Sequence, residues 1–281
     1  MKRIASLLLA MMLLFGLAAC NGGNAEPSGV EDGVLTIAME CAYAPYNWVQ
    51  PDDSDGAVPI KDSNEYVNGY DVMIAKKICE ANGWELEVLR MEWGALVPAV
   101  QSGEVDAVIA GQSMTADRAQ EVDFAGPYFY ASIVCLTKQD GAYADAQGVS
   151  DLAGASCTAQ LGTIWYDVYL NQIKDSVEVQ PASQTAGTML MALETGTVDF
   201  VCTDMPTAQG ALIAYPGMKL LDFNGTDDNF EINEEDVNIG VSVRKGNTEL
   251  KDAIDEVLST MTEDDFLAIM EDAITIQPIT E

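Results

Sequence analysis

The chain has 281 residues, 48% of them hydrophobic, and a chain of this length commonly folds as two lobes rather than around one core. It carries 45 acidic and 13 basic residues, a formal charge of −32, so its surface repels nucleic acid and anionic lipid headgroups. It contains no histidine, which excludes Ser-His-Asp and Cys-His catalysis and removes the commonest metal ligand of proteins.

The first 19 residues have the pattern of a secretory signal peptide. Residues 1–3 supply positive charge, residues 4–17 are apolar, and two alanines precede Cys20. A cysteine at this point resembles the lipobox of bacterial lipoproteins, which implies cleavage before Cys20 and a diacylglyceryl group on its sulfur. Residues 20–30 then form a flexible tether. The alternative is an ordinary signal peptide that is cleaved nearby.

Beyond the tether, strand-like segments alternate with helical ones. The predicted strands cover residues 34–38, 85–89, 105–110, 132–137, 157–160, 177–180, 198–203 and 237–243. The predicted helices cover residues 70–80, 95–102, 165–172, 185–195, 206–213 and 248–261, with a helical turn at 149–154 and a further short helix from residue 263. This alternation predicts an α/β fold with mostly parallel sheets.

An acidic insert occupies residues 51–66. Its Asp55-Gly56 pair is a turn signal, and its other residues are mostly polar. The spacing of its acids resembles a calcium loop, but Pro51 stands where the first calcium-binding aspartate would be. We therefore favour a solvated surface loop, and we predict no metal site.

Five cysteines follow the signal segment, and none of them forms a C-x-x-C pair that would indicate zinc. They are Cys41, Cys79, Cys135, Cys157 and Cys202. Their apolar surroundings favour buried thiols. An exported protein could pair Cys157 with Cys202 if their strands are neighbours, and one cysteine would still remain unpaired.

The richest stretch for function lies at residues 103–118. Gly103 ends a helix, a buried strand follows, and Gly111 and Ser113 let the backbone turn closely. Thr115 is a good N-cap for the next helix, whose first turn contains Arg118. Free N–H groups and a guanidinium therefore converge where a strand meets a helix, which indicates a site for a carboxylate or a phosphate.

An internal repeat supplies the opposite charge. Residues 99–108 match residues 192–201 without a gap, which predicts two similar lobes and aligns Gly111 with Asp204. Both positions follow strand ends, where open α/β sheets bind ligands. A guanidinium facing a carboxylate across a cleft suits an α-amino acid. The alternatives are a surface arginine at Arg118 and a helix N-cap at Asp204, although capping does not exclude binding.

A set of short motifs connects the chain from about residue 34 to residue 270 with one protein family. They lie at residues 42–46, 69–72, 96–99, 102–107, 114–118, 121–124, 127–128, 160–163, 196–199 and 243–246. In order and spacing, the chain resembles the family 3 extracellular solute-binding proteins, the polar amino acid receptors of ABC importers. The resemblance implies a periplasmic-binding-protein fold of type II, in which two three-layer α/β lobes are joined by a two-strand hinge and close on the ligand.

The resemblance also implies where the lobes begin and end. Chain crossings are expected near Tyr130 and Val237. The first lobe would then combine residues 31–130 with residues 237–281, and the second lobe would contain residues 131–236.

Roles for individual residues follow from the same resemblance. Arg118 would hold the α-carboxylate of the ligand, helped by Gly111, Ser113 and Thr163, and Asp204 would receive the α-ammonium. The side chain of the ligand would lie between Tyr43 and Trp93, which could otherwise be core residues, and Glu40 would touch its far end. The chain departs from the family pattern in the acidic insert and at Ile164, where a small residue or a threonine is usual. Glu40 is usually a shorter acid, and together with the acidic surface it favours a polar or cationic amino acid.

The expected function is capture of an amino acid and its delivery to a membrane permease. The protein would be a monomeric lipoprotein on the cell surface or the periplasmic side, without enzymatic activity or a cofactor. One alternative is an enzyme on the same fold, such as a prephenate or arogenate dehydratase, with Glu40 or Asp204 as the acid. The others are the sensor lobe of a receptor and a receptor for a different solute.

Overall fold

The computed structural model describes residues 30, 32–233 and 237–278. The predicted signal peptide, Cys20 and most of the tether lie outside the described residues. The strands are β1 Val34–Met39, β2 Ala42–Tyr43, β3 Asn47–Gln50, β4 Val58–Pro59, β5 Tyr66–Asn68, β6 Glu85–Arg90, β7 Ala107–Val108, β8 Val122–Tyr130, β9 Ile133–Lys138, β10 Ser156–Thr158, β11 Glu178–Val179, β12 Phe200–Asp204, β13 Met218–Leu221 and β14 Asn238–Arg244.

Helices of varied length connect these strands. They are α1 Tyr70–Asn82, α2 Leu96–Ser102, α3 Arg118–Glu121, α4 Asn171–Ile173, α5 Ala186–Glu194, α6 Met205–Ala214, α7 Thr248–Leu258 and α8 Glu263–Ile276. Short 3₁₀ turns occur at Ser54–Gly56, Trp93–Ala95 and Val149–Leu152, and a π-helical segment, Trp165–Leu170, leads into α4. Within the described ranges, no helix combines the length and the apolar character needed to cross a bilayer.

Two five-stranded sheets of equivalent topology form the two lobes. The first has the order β6-β1-β7-β14-β8, and the second has the order β11-β10-β12-β9-β13. Each begins with three parallel strands, followed by an antiparallel strand and an edge strand. The repeated segments recognised in the sequence end in β7 and β12, which occupy the central position of their sheets. The mixed α/β fold predicted from the sequence is confirmed.

The chain passes twice between the sheets. It leaves β8 at Tyr130 and enters β9 at Ile133, and it returns from β13 to β14 later in the sequence. The amide of Ala131 donates to the carbonyl of Val237 at 3.2 Å, so the two passages lie side by side. The antiparallel strand of each sheet, β14 or β9, directly follows one of these passages.

The acidic insert is more ordered than the predicted loop. Its residues Val58–Pro59 form β4, which pairs with β5 in a small four-stranded sheet. Ile60 is buried and forms a parallel bridge with Val88 of β6. Twelve of the 16 residues at 51–66 are exposed, as a surface loop requires, and the buried contact of Ile60 with Val88 anchors the insert to the first lobe.

Three predicted helices differ from the structure. The helix from residue 263 has 14 residues, because Thr262 and Asp265 form a capping box and Phe266, Met270 and Ala273 bury one face. The segment predicted as a helix at 165–172 is largely π-helical. The helix with Arg118 is a single turn that begins at Arg118 itself, and Thr115 accepts its amide at 3.3 Å.

All five cysteines in the described part of the chain are buried and free, as their apolar contexts predict. The strands of Cys157 and Cys202 are indeed neighbours, but Cys157 lies opposite Phe200 in the register. Cys202 instead lies opposite Cys135. The predicted candidate pair was therefore the wrong one. Across the described ranges, no three acidic or cysteine side chains gather in a way that could hold a metal ion.

Candidate functional site

Asp204 is a fully buried carboxylate at the boundary between the lobes. It ends β12 and caps α6, so that its Oδ1 accepts from the amide of Thr207 at 2.9 Å and its Oδ2 accepts from the hydroxyl of Thr207 at 3.2 Å. The hydroxyl of Tyr43, from β2 of the first lobe, also donates to Oδ2. Burial raises the pKa of Asp204 above its ordinary value, and these hydrogen bonds oppose that rise.

Arg118 lies at the same boundary, where two of its N–H groups donate hydrogen bonds to backbone carbonyls. Its Nη1 donates to the carbonyl of Ser113 at 2.9 Å, and its Nη2 donates to the carbonyl of Gly162 in the second lobe at 2.9 Å. Its guanidinium carbon is 5.6 Å from the centre of the Trp93 ring, a cation–π contact. Burial lowers the pKa of Arg118, and the nearby carboxylate of Asp167 opposes this shift. The residues described here include no ion pair between Arg118 and Asp204.

The contact between Trp93 and Gly162 joins the loop at residues 160–163 of the second lobe to the first lobe. The indole Nε1 of Trp93 donates to the carbonyl of Gly162 at 3.1 Å. Gly162 has a φ of +71°, and a Cβ there would be 3.1 Å from the Trp93 ring. Glycine is therefore the residue that fits both the backbone conformation and the close approach. The hydroxyl of Thr163 donates back to the carbonyl of Gln160 at 2.8 Å and holds this loop.

Glu40 and Gln160 form a second polar contact between the lobes. The Nε2 of Gln160 donates to Oε2 of Glu40 at 2.9 Å, and both side chains are buried. Within the described structure, the Oε1 atoms of both residues have no hydrogen-bond partner. Burial, reinforced by Glu92, raises the pKa of Glu40 to about 7, whereas Gln160 and Arg90 oppose the rise. Two acceptor oxygens thus lie ready for a ligand with several N–H donors.

Gly111 lies in the turn that follows β7. Its φ is +65°, and a Cβ there would be 3.0 Å from the ring of Tyr43, so the turn requires glycine. Its N–H is not free, contrary to what the sequence suggests, because it donates to the hydroxyl of Tyr128 at 3.0 Å. That hydroxyl donates in turn to Asp71 at 2.7 Å. Burial raises the pKa of Asp71 to about 7. This network fixes the turn from inside the first lobe.

Two clefts lie next to these contacts. One, of about 350 Å³, is lined by Glu40, Ala42, Arg90, Met91, Glu92 and Thr185. The other, of about 420 Å³, lies next to Arg118, Thr163 and Asp167. Two acids, Glu40 and Glu92, line the first cleft together with the cation Arg90.

Five of the eight residues predicted to bind ligand make hydrogen bonds between the lobes, namely Glu40, Tyr43, Trp93, Arg118 and Asp204, whereas Gly111, Ser113 and Thr163 lie in the turns beside them. Thr163 and Asp204 belong to the second lobe, and the others belong to the first. Their roles in binding remain predictions. Sequence reasoning missed Gln160, Thr207 and Asp167. Gln160 belongs to a motif that carries the family resemblance, and the N-cap pattern at Asp204 points to the amide of Thr207. No comparable signal marks Asp167.

Comparison with known proteins agrees with this arrangement. The family model of the bacterial extracellular solute-binding proteins, family 3, matches residues 35–273. The chain belongs to this family. The resemblance recognised in the sequence is therefore confirmed, and the family is one of extracellular solute-binding proteins.

Several family 3 relatives have names that state a ligand. The arginine-binding extracellular protein ArtP of Bacillus subtilis is 31% identical over 166 residues, which cover 58% of this chain and 58%, less than two thirds, of that protein. A probable histidine-binding protein of Campylobacter jejuni is 27% identical over 76% of this chain and 78% of that protein.

A solved structure of an amino acid ABC transporter substrate-binding protein, AbpA of Streptococcus pneumoniae bound to L-arginine, is 28% identical and superimposes with a TM-score of 0.70. The superposition covers 87% of this chain and 95% of that one. The two-lobed fold of type II is thereby confirmed for this family 3 chain.

Proposed function

We propose that this protein captures an amino acid between its two lobes and delivers it to the membrane permease of an ABC importer. The observation that carries the proposal is the pair of opposite charges at the boundary, the half-buried Arg118 from the first lobe and the fully buried Asp204 from the second. An α-amino acid carries a carboxylate and an ammonium close together, and it satisfies both of them at once. Pairing also offsets the free energy lost when such charges are removed from water.

Both groups have hydrogen-bonding capacity left for a ligand. A guanidinium offers five N–H donors, and Arg118 uses two of them on carbonyl groups. A carboxylate offers about four acceptor sites, and Asp204 uses three of them on Tyr43 and Thr207. A carboxylate of the ligand can therefore bind to Arg118, and its ammonium can bind to Asp204, while the existing contacts keep both groups in place.

The far end of the site favours a cationic or strongly polar side chain. The free Oε1 atoms of Glu40 and Gln160 are acceptors, and Glu92 lines the adjoining cleft. A guanidinium or ammonium would satisfy these acceptors, whereas an aliphatic side chain would leave them buried and unpaired. The arginine and histidine named for two of the relatives support the same ligand class.

The cellular arrangement belongs to the proposal. Cys20 would carry the lipid that anchors the protein outside the membrane, and residues 20–30 would let the lobes reach the permease. The protein would act as a monomer, with residues 31–130 and 237–281 as one lobe and residues 131–236 as the other. It would bind its substrate without converting it, which the names of its relatives as binding proteins support.

Isothermal titration calorimetry with the twenty amino acids, ornithine, citrulline and cystine tests the proposal. We expect the tightest binding from a cationic amino acid, and a loss of at least about thirtyfold for Arg118→Ala, because truncating one partner of a buried charge pair costs roughly 2–5 kcal/mol. Arg244→Ala, in β14, is the control. Thermal unfolding first verifies that this variant is folded, and it should then bind the ligand with wild-type affinity. Undiminished binding of the best ligand by Arg118→Ala would refute the proposal.

A further inference from the structure

Cys135 and Cys202 face each other in the core of the second lobe. They are directly opposed residues on the neighbouring antiparallel strands β9 and β12. Their sulfur atoms are 3.2 Å apart, and neither side chain is exposed to solvent. Directly opposed residues of antiparallel strands have Cα atoms about 4.5 or 5.5 Å apart, and both values lie within the range that a disulfide spans. The backbone is therefore already placed for a covalent bond.

We propose that Cys135 and Cys202 are a disulfide-forming pair that is oxidised as the exported chain folds. The bond needs only a small approach of the two sulfur atoms along the existing register. The family is extracellular, and disulfides form and persist in oxidising compartments. This proposal rests on the geometry of the second sheet alone and is independent of any ligand.

The other cysteines are less well placed. Cys157 is close enough to affect the pKa of Cys202, but its strand pairs it with Phe200. Cys41 and Cys79 belong to the first lobe, where their sulfur atoms lie 3.8 Å from the carbonyl of Met39 and 3.9 Å from the carbonyl of Glu85. Among the five cysteines of the described ranges, Cys157 is thus the one competitor, and it makes a useful control.

The chemistry is thiol–disulfide exchange with a low-molecular-weight disulfide, such as oxidised glutathione. One protein thiolate attacks a glutathione sulfur, forms a mixed disulfide and displaces one glutathione thiolate. The second protein thiolate attacks the protein sulfur of that mixed disulfide, forms the Cys135–Cys202 bond and displaces the other. Two electrons pass from the protein to glutathione, and the two protons end on the released thiols.

The timing follows from burial. Removal from water raises the pKa of the Cys202 thiol well above its ordinary value and that of Cys157 to about 12, which suppresses the reactive thiolate in the folded lobe. Both sulfur atoms of the proposed pair are also buried, so a low-molecular-weight disulfide reaches them only while the sheet is assembling. The completed bond joins β9, which follows the first passage between the lobes, to β12, which ends at Asp204.

The test begins with the full chain, reduced and unfolded, then refolded with oxidised and reduced glutathione and alkylated under denaturing conditions. We expect two fewer alkylated cysteines than in the reduced sample, and a peptide pair that joins Cys135 to Cys202 in the mass spectrum. Cys157→Ser should form the same bond. Cys135→Ser should leave Cys202 and Cys157 alkylated. Full alkylation of the refolded protein, or a bond through Cys157, would overturn the proposal.

A stability measurement gives a second readout. A disulfide between residues 135 and 202 closes a long loop and so restricts the unfolded chain. The oxidised protein should therefore melt at a temperature roughly 5–15 °C higher than the reduced protein. The same difference should appear in Cys157→Ser and be absent from Cys135→Ser. Equal melting temperatures of the oxidised and reduced wild-type protein would contradict the proposed bond.

Discussion

Glu40 is an acid whose ionisation should control binding at the far end of the site. Its side chain is only 4% exposed, and burial holds its pKa at about 7. A cationic ligand side chain favours the ionised form and so lowers this pKa on binding. Binding therefore releases a proton whenever Glu40 starts out protonated, and the affinity depends on pH through linkage.

We predict that the affinity for a cationic amino acid is greatest above pH 7. It should fall as the pH drops below 7, by up to about tenfold per pH unit, because each binding event must then deprotonate Glu40. Calorimetry between pH 5.5 and 8.5 measures this. Glu40→Gln should bind cationic ligands weakly, with a nearly flat profile.

Two comparisons assign the effect to Glu40. Glu92→Gln removes an exposed acid from the same cleft; because Glu92 raises the pKa of Glu40, this variant should keep a pH-dependent affinity with its midpoint moved to lower pH. Asp71 also has a pKa of about 7, so a pH dependence that survived in Glu40→Gln would belong to Asp71 or to another group and would refute the assignment.

Among the secondary-structure elements, the turn after β7 matters most to the site. Gly111 has a left-handed backbone, and a methyl group there would press on the rings of Tyr43 and Tyr46, at 3.0 and 3.3 Å. Gly196 has a similar φ of +73° with no atom within 4 Å of the added methyl group. An alanine would therefore be strained by the left-handed backbone at both positions, but it would clash with neighbouring atoms only at position 111.

We predict that Gly111→Ala and Gly196→Ala each lose roughly 1–2 kcal/mol of unfolding free energy from the left-handed conformation. Only Gly111→Ala should also weaken ligand binding, because its methyl group displaces Tyr43 from Asp204. Chemical denaturation and calorimetry on the same samples separate the two effects. Equal affinities in the two variants would show that the Tyr43 ring moves aside without cost.

The elements that the sequence predicts well are those whose signals are local. Gly103 ends α2, and Asp204 followed by Pro206 marks the end of β12 and the start of α6. The bridge between Ile60 and Val88 and the bond from Gly111 to Tyr128 join residues that are not neighbours in the chain, and nothing in the structure explains why residues 165–170 are π-helical. The repeat at 192–201 placed Asp204 opposite Arg118, but nothing local indicates that Tyr43 reaches Asp204.

At the scale of the whole molecule, a few direct hydrogen bonds hold the lobes together. Tyr43 donates to Asp204, Gln160 donates to Glu40, and both Trp93 and Arg118 donate to the carbonyl of Gly162. Most of these groups are also the predicted ligand-binding groups. In the proposed binding mode, closure and ligand binding involve the same atoms, so a change in one contact should alter the balance between closed and open forms.

Tyr43→Phe tests this link, because it removes one hydroxyl and keeps the ring. Asp204 then lacks a donor while it is buried, which costs about 1–3 kcal/mol unless the lobes separate and water replaces the donor. We predict that small-angle scattering without added amino acid gives a larger radius of gyration for Tyr43→Phe than for the wild type, and that saturating ligand removes the difference.

Tyr46→Phe is the matched control, since its buried hydroxyl has no hydrogen-bond partner in the described structure and its ring stacks on Tyr43 at 4.9 Å. If Tyr43→Phe scatters like the control, other contacts hold the lobes closed, and the bond from Tyr43 to Asp204 serves only to orient the carboxylate.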